Sequence, residues 1–184
     1  FLANISEFKM FLSAAIEAEK VYATSPAMCA VGCRKALELA VKWVYSADNT
    51  ITMPYKDNLQ SLIHEPSFRF ALDSQTWGKL PYIIRLGNLS VHTERAVNKA
   101  DALLSLKSLF EFIEWVDYCY GSDYVERHFD PALIPTEKVV IDTKKIKEQA
   151  SLIEQKDSEI KALQAKIAEM SATLTAEKEE KQES

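Results

Sequence analysis

Residues 98–121 read NKADALLSLKSLFEFIEWVDYCYG, and this stretch decides the fold class. Ala102, Leu103, Leu106, Leu109, Phe110, Ile113, Val116 and Tyr120 recur at steps of three and four, the spacing that lays apolar side chains along one side of an α-helix. Asn98 followed by Asp101 supplies a helix start, and Gly121 a natural stop. Working outward, the same period appears three more times. Phe8, Phe11, Leu12, Ala15 and Ile16 predict a helix from Ser6 to about Tyr22. Ser25 before Pro26 is a cap followed by a proline at the first helical position, and Met28, Val31, Ala36, Leu37, Ala40, Val41 and Val44 carry that helix to about Ser46. Ser74 opens a segment with Trp77, Leu80, Ile83, Ile84 and Leu86, expected to be broken or kinked at Pro81, loosened at Gly87 and finished near His92.

Shorter pieces fill the gaps. Residues 47–56 read as a loop. Asp57 or Asn58 caps a short helix with Leu59, Leu62 and Ile63 that stops near Pro66, and residues 67–72 allow another turn or two. The expected fold is therefore all-α: a bundle of four main helices plus short helical pieces, followed by a long charged C-terminal helix or coiled coil. With only 4 Gly and 6 Pro, a sandwich or barrel of tight hairpins is disfavoured.

Composition divides the chain. All 3 Trp, 7 Tyr and 8 Phe lie at or before Phe129, and Gly121 is the last glycine. Residues 1–128 form the bundle domain, 129–142 a strap or linker carrying Pro131 and Pro135 with a β-branched run from Val139 to Ile141, and 143–184 a charged segment. In that last segment Ile146, Ile153, Ile160, Ile167 and Leu174 are spaced by seven, with Leu163 and Met170 at the second seam position; Gln149 and Lys156 weaken the seam early. A parallel two-stranded coiled coil, giving a homodimer through 143–184, and a single solvated helix that connects to a further domain remain equal alternatives. A first residue Phe and a charged end suggest a piece of a longer protein.

A net charge of −5 argues against a broad basic surface that wraps nucleic acid. DNA contact would need Arg34, Lys35, Lys42, Arg85, Arg95 and Lys99 to gather on one side. No apolar run approaches the roughly 20 residues of a membrane span, so no membrane partner is expected. Cys29, Cys33 and Cys119 are odd in number and no stretch reads as a signal peptide, which suggests a reducing cytoplasm. Cys29 and Cys33, four apart, share a helix face, and a zinc site with His64, His92 or His128 has to be weighed. A second ligand pair at zinc spacing is missing, so packing in a helix interface is the stronger reading.

One constellation can carry chemistry: Arg85-Leu86-Gly87-Asn88-Leu89-Ser90-Val91-His92. If the helix survives Gly87, Arg85, Asn88 and His92 lie on one face. A guanidinium holding a phosphate beside an imidazole moving a proton suffices for metal-free RNA cleavage by the 2′-hydroxyl. The structural alternative pairs Arg85 with Glu38 or another carboxylate and leaves Asn88 and His92 bonding backbone at a helix end. Arg34 and Glu38 can likewise form an i,i+4 pair. A glycine inside a helix costs about 1 kcal/mol relative to Ala and is tolerated for close backbone approach. Gly87 is therefore expected where its helix packs on the one carrying Arg34 and Glu38, with Arg85 partly buried against Glu38, so that Arg85→Ala costs roughly 2–4 kcal/mol.

Arg34-Lys35-Ala36-Leu37-Glu38, Val41-Lys42-Trp43-Val44-Tyr45, Pro54-Tyr55-Lys56-Asp57-Asn58-Leu59, Trp77, Ile84-Arg85-Leu86-Gly87-Asn88, Val91-His92, Phe129-Asp130 and Ile134-Pro135 together resemble the N-terminal helical domain of bacterial type I restriction enzyme R subunits, over roughly residues 5–136. The resemblance implies a parent that is an ATP-dependent, site-specific deoxyribonuclease and DNA translocase, using ATP and Mg and acting with modification and specificity subunits on unmethylated foreign double-stranded DNA. The candidate binding residues are Arg34, Lys35, Glu38 and Arg85. A P-loop Gly-Lys-Ser/Thr and an Asp…Glu-x-Lys nuclease pattern are absent from these 184 residues, so no cofactor is expected for this region, and a non-catalytic docking role is implied for it. The domain also resembles the HEPN superfamily, whose arginine and histidine, four to six residues apart, form an RNase site. Arg85, Asn88 and His92 are the catalytic candidates on that resemblance. Arg85 and His92 have six residues between them, and Leu86 stands where active members usually carry a polar residue.

Overall fold

The computed structural model of the chain describes residues 8–92 and 97–136 and, in the tail, 162, 165–167 and 170. Its helices are α1 (Lys9–Val21), α2 (Pro26–Ala47), α3 (Leu59–His64), α4 (Pro66–Ala71), α5 (Ser74–His92) and α6 (Lys99–Tyr120), with a 3-10 turn at Pro131–Leu133. Among the described residues there is no strand, and the all-α expectation holds.

The helix starts follow from local chemistry. The Ser25 hydroxyl accepts from the Met28 N–H (3.3 Å) with Pro26 next in line, so two problems of a helix start are met by two residues. Asn58, not Asp57, caps α3 through the Ser61 N–H (3.0 Å). At α6 the Asn98 side-chain oxygen accepts from the Asp101 N–H (2.8 Å) while its amide donates to the Asp101 carboxylate (2.8 Å). Glu65 caps α4 by accepting from the Ser67 and Phe68 N–H groups, and Asp73 does the same for Gln75 and Thr76 ahead of α5. Gly121 ends α6 with φ −74° and ψ 145°, an extended exit and not a left-handed one.

Helix α5 runs unbroken through Pro81, so a break there, one of the two expected alternatives, is absent. Proline removes the N–H that would bond the Trp77 carbonyl. Leu80, Ile83 and Ile84 on the inner side are buried and hold both halves of the helix to the core, which outweighs one missing bond.

Contacts along the helices give an up-down-up-down arrangement around α2. Helix α1 runs antiparallel to α2: Ala18 meets Gly32 near one end, and Phe8 and Phe11 meet Trp43 near the other. A Cβ on Gly32 would lie 2.7 Å from the Ala18 Cβ, so the glycine is what lets these two helices touch. Helix α5 is antiparallel to α2. Its start and the end of α2 are both tied to α3, where the Trp77 Nε1–H donates to the Ile63 carbonyl (2.7 Å) and the Tyr45 hydroxyl to the Leu62 carbonyl (2.9 Å). Helix α6 returns antiparallel to α5, with Lys79 to Glu111 at 2.6 Å and the Tyr82 hydroxyl to Asp101 at 3.2 Å. Its end rejoins α2, where Tyr120 packs edge-on against Trp43 and donates to Asp48 (2.8 Å).

The core is continuous. Phe8, Phe11, Leu37, Phe68, Leu80, Ile83, Leu106, Leu109, Phe112 and Ile113 are fully buried within it. After α6 the chain folds back over the bundle: Ile134 is buried in the core and Phe129 packs edge-on against Phe110. The chain divides into two compact units, Phe1–Val139 and Val140–Ser184. In the second, the described residues are helical, and Ile167 and Met170 of the heptad pattern are exposed. The rest of the coiled-coil expectation for 143–184 lies outside the described residues, as does the run from Val139 to Ile141.

Candidate functional site

Gly87 is the structural centre of the motif. A Cβ built there would lie 2.5 Å from the Arg34 Cβ, 2.9 Å from the Arg34 Cδ and 3.1 Å from the Ala30 carbonyl oxygen. The expected close approach of α5 to the helix carrying Arg34 and Glu38 is therefore present, and its partners are Ala30 and Arg34.

The expected pairing is not. Arg85 is exposed, and the Glu38 carboxylate is bonded by Lys42 at 2.8 Å, one turn further along α2. Glu38 thus pairs with neither Arg34 nor Arg85, and its hydrogen bond raises the Lys42 ammonium above its ordinary value. The reason is helical phase. At about 100° per residue, Arg85 lies about 160° around α5 from Gly87, so the residue that faces α2 forces the arginine to face away from it. Asn88 is exposed on the same outward side. His92 is the last residue of α5, and because the helix is unbroken its position falls on that outward stripe two turns beyond Arg85. Its side chain lies outside the described residues.

Among the described residues, the basic side chains named from sequence lie on different sides of the bundle. Arg34 sits in the α2–α5 seam, Arg85 faces outward, Lys42 is paired, and Lys35 is exposed beside a groove between α1 and α2. Arg95 lies outside the described residues. The groove, about 560 Å3, is lined by Met10, Val21, Met28, Val31 and Leu39.

Cys29 and Cys33 are both buried in α2, in thiol form. Their mutual hydrogen bond and burial push the Cys29 thiol up. Among the described residues no group of three or more His, Cys, Asp or Glu is placed to hold a metal. His64 is engaged locally, its Nδ1 2.8 Å from the Gln60 carbonyl and its ring edge-on to Trp77. Nor do these residues fit an ATP phosphate loop: the Gly-Lys step at Gly78-Lys79 is followed by Leu80 and lies inside α5.

Sequence reading missed a polar cluster that fastens the strap. Asp117 on α6 is 2% exposed and bonds the Arg127 guanidinium at 2.9 Å. Glu114, one turn earlier, accepts from the Tyr124 hydroxyl (3.1 Å) and the Arg127 N–H (3.3 Å). The signal was Asp117 standing in phase with Ile113 and Val116 on the apolar stripe, where an acidic residue has to find a partner. At the same end Asp48 is held below the usual carboxylate range by the Thr50 hydroxyl, the Thr50 N–H and the Tyr120 hydroxyl. Burial, then the hydrogen bond to Asp48, pushes the Tyr120 phenol up.

Compared with protein-family models, with curated proteins and with solved structures, the chain gives no match.

Proposed function

We propose that the helical bundle is a non-catalytic docking module of a type I restriction enzyme R subunit, the arm through which that ATP-dependent, DNA-translocating endonuclease meets DNA, its modification and specificity subunits, or another part of its own chain. The observation that carries this reading is that two stretches of the resemblance meet in the fold. Two of the motifs that carry the resemblance, Arg34-Lys35-Ala36-Leu37-Glu38 and Ile84-Arg85-Leu86-Gly87-Asn88, far apart in the chain, come together at the Gly87–Arg34 contact. The test is the open reading frame beyond Ser184, which should encode a nuclease core followed by helicase motifs. A stop codon shortly after Ser184 overturns the assignment.

A second reading is favoured by the exposed Arg85. With Asn88 and position 92 it forms an outward stripe on α5, the arrangement that a metal-independent HEPN-type RNase needs, with Arg85 on the scissile phosphate and His92 as acid and base. Single-stranded RNA incubated with the protein in chelator separates the two readings. Cleavage that disappears in His92→Ala establishes the RNase; intact RNA leaves the docking module.

A further inference from the structure

The groove between α1 and α2 is an apolar surface that the bundle leaves open. Ala18 and Gly32 touch within it, and Met10 (67% exposed) and Met28 (36%) stand at its opposite ends, because the two helices are antiparallel. From Met10 to Val21, α1 rises about 16 Å, or about three turns. The lining offers little to hydrogen-bond. The Ser13 hydroxyl donates to the Lys9 carbonyl (2.8 Å), and the Glu17 carboxylate is held by Lys20 (2.8 Å). Lys35 is the one charged residue of the lining that makes no ion pair among the described residues.

We propose that this groove receives an amphipathic α-helix of a partner protein, with an acidic side chain beside its apolar stripe to meet Lys35. The walls decide the secondary structure of the occupant. An extended peptide would lay its N–H and C=O groups against two helices whose own backbone groups are already bonded, and each group buried unpaired costs free energy. A helix brings its backbone bonds with it and needs only a complementary apolar shape, to which flexible methionines adapt. Lys35 decides the charge: with Glu17 already tied to Lys20, a carboxylate is attracted here and a second cation is not. A nucleic-acid backbone would find one unpaired cation among apolar walls, too little to hold it. The assignment uses neither Arg85 nor His92 and stands whichever longer chain carries the bundle, a question that the reading frame beyond Ser184 tests separately.

Fluorescence anisotropy with the whole chain tests the assignment. The probe is a labelled helical peptide of about four turns, with Leu at three- and four-residue spacing on an Ala and Gln background and a glutamate beside the Leu stripe. Its twin carries lysine in place of the glutamate, and a third peptide scrambles the first. The parent should prefer the glutamate peptide. Lys35→Glu, a change at an exposed site, should weaken that peptide about five-fold and tighten the lysine twin by a similar factor. Met10→Glu combined with Met28→Glu should weaken both peptides by more than about ten-fold. Each of these methionines lies in the first turn of its helix, where a carboxylate is favourable, so the far-UV circular dichroism and Tm of the double variant should match the parent's. Four results overturn the assignment: no binding of the glutamate peptide below about 1 mM, equal binding of the scrambled peptide, an unchanged peptide preference in Lys35→Glu, or a parent that sediments as a dimer and becomes a monomer in the double methionine variant, which would give the groove to a second copy of the chain.

Discussion

Gly87→Ala should destabilise the bundle even though alanine is the better helix former. The added Cβ would stand 2.5 Å from the Arg34 Cβ and 3.1 Å from the Ala30 carbonyl oxygen. Carbon atoms in contact prefer about 3.5–4.0 Å, so the overlap with the Arg34 Cβ is about 1 Å. Neither of those two atoms can rotate away, because α2's backbone sets both positions; relief requires α5 to move off α2. Overpacking of that kind costs roughly 1–3 kcal/mol, here toward the upper end, and the helix propensity of Ala returns about 1 kcal/mol. The net expectation is a loss of about 2 kcal/mol. Gly78→Ala is the control on the same helix: nothing lies within 4 Å of its Cβ, so the propensity gain stands alone at about 1 kcal/mol of added stability. Urea unfolding followed by far-UV circular dichroism reads both variants, and their midpoints should fall on opposite sides of the parent. If Gly87→Ala is stabilised as much as Gly78→Ala, the close packing of the two helices at this point is refuted.

Three further outcomes are expected. Arg85→Ala should change stability by no more than about 0.5 kcal/mol, as for a surface residue without a partner, and a melt lowered by several degrees would mean that the arginine is paired after all. Arg127→Ala leaves the 2%-exposed Asp117 without its guanidinium. Because Arg127 itself is 36% exposed, the cost should be about 1–3 kcal/mol, below that of a fully buried pair, and limited proteolysis between Gly121 and Phe129 should accelerate; an unchanged cleavage pattern would count against the fastening role. Asp48, Glu65 and Asp73 are all held below the usual carboxylate range, chiefly by side-chain hydrogen bonds from Thr50, Ser67 and Thr76. Folding favours their ionised forms, so their stabilisation is complete above the ordinary carboxylate pKa and is lost as pH falls through the lowered folded-state values. The triple variant Asp48→Asn, Glu65→Gln, Asp73→Asn should be less stable at neutral pH and show a flatter acid limb, and an acid limb as steep as the parent's would contradict this.

The main helices, the caps at Ser25, Asn58 and Asn98, and the close approach at Gly87 were legible in the sequence. Each is set by interactions within a turn or two of chain: apolar period, a side-chain oxygen meeting an N–H three residues on, or the absence of a Cβ. The partners of charged side chains were not legible. Glu38 has Arg34 four residues before it and Lys42 four residues after it, and both spacings suit a helix pair. The choice of Lys42 came from the tertiary contact that drew Arg34 into the seam beneath Gly87. The same contact turned Arg85 outward, since a helix that points one residue at its neighbour fixes the phase of every other. The fastening of Arg127 to Asp117 and Glu114 depended on the path of the chain after Gly121, which no local period encodes. Sequence alone determined the helices and their joints. Which charges meet was decided by how the helices are rotated against one another, because a charge pair forms or fails over a few ångströms that only packing sets.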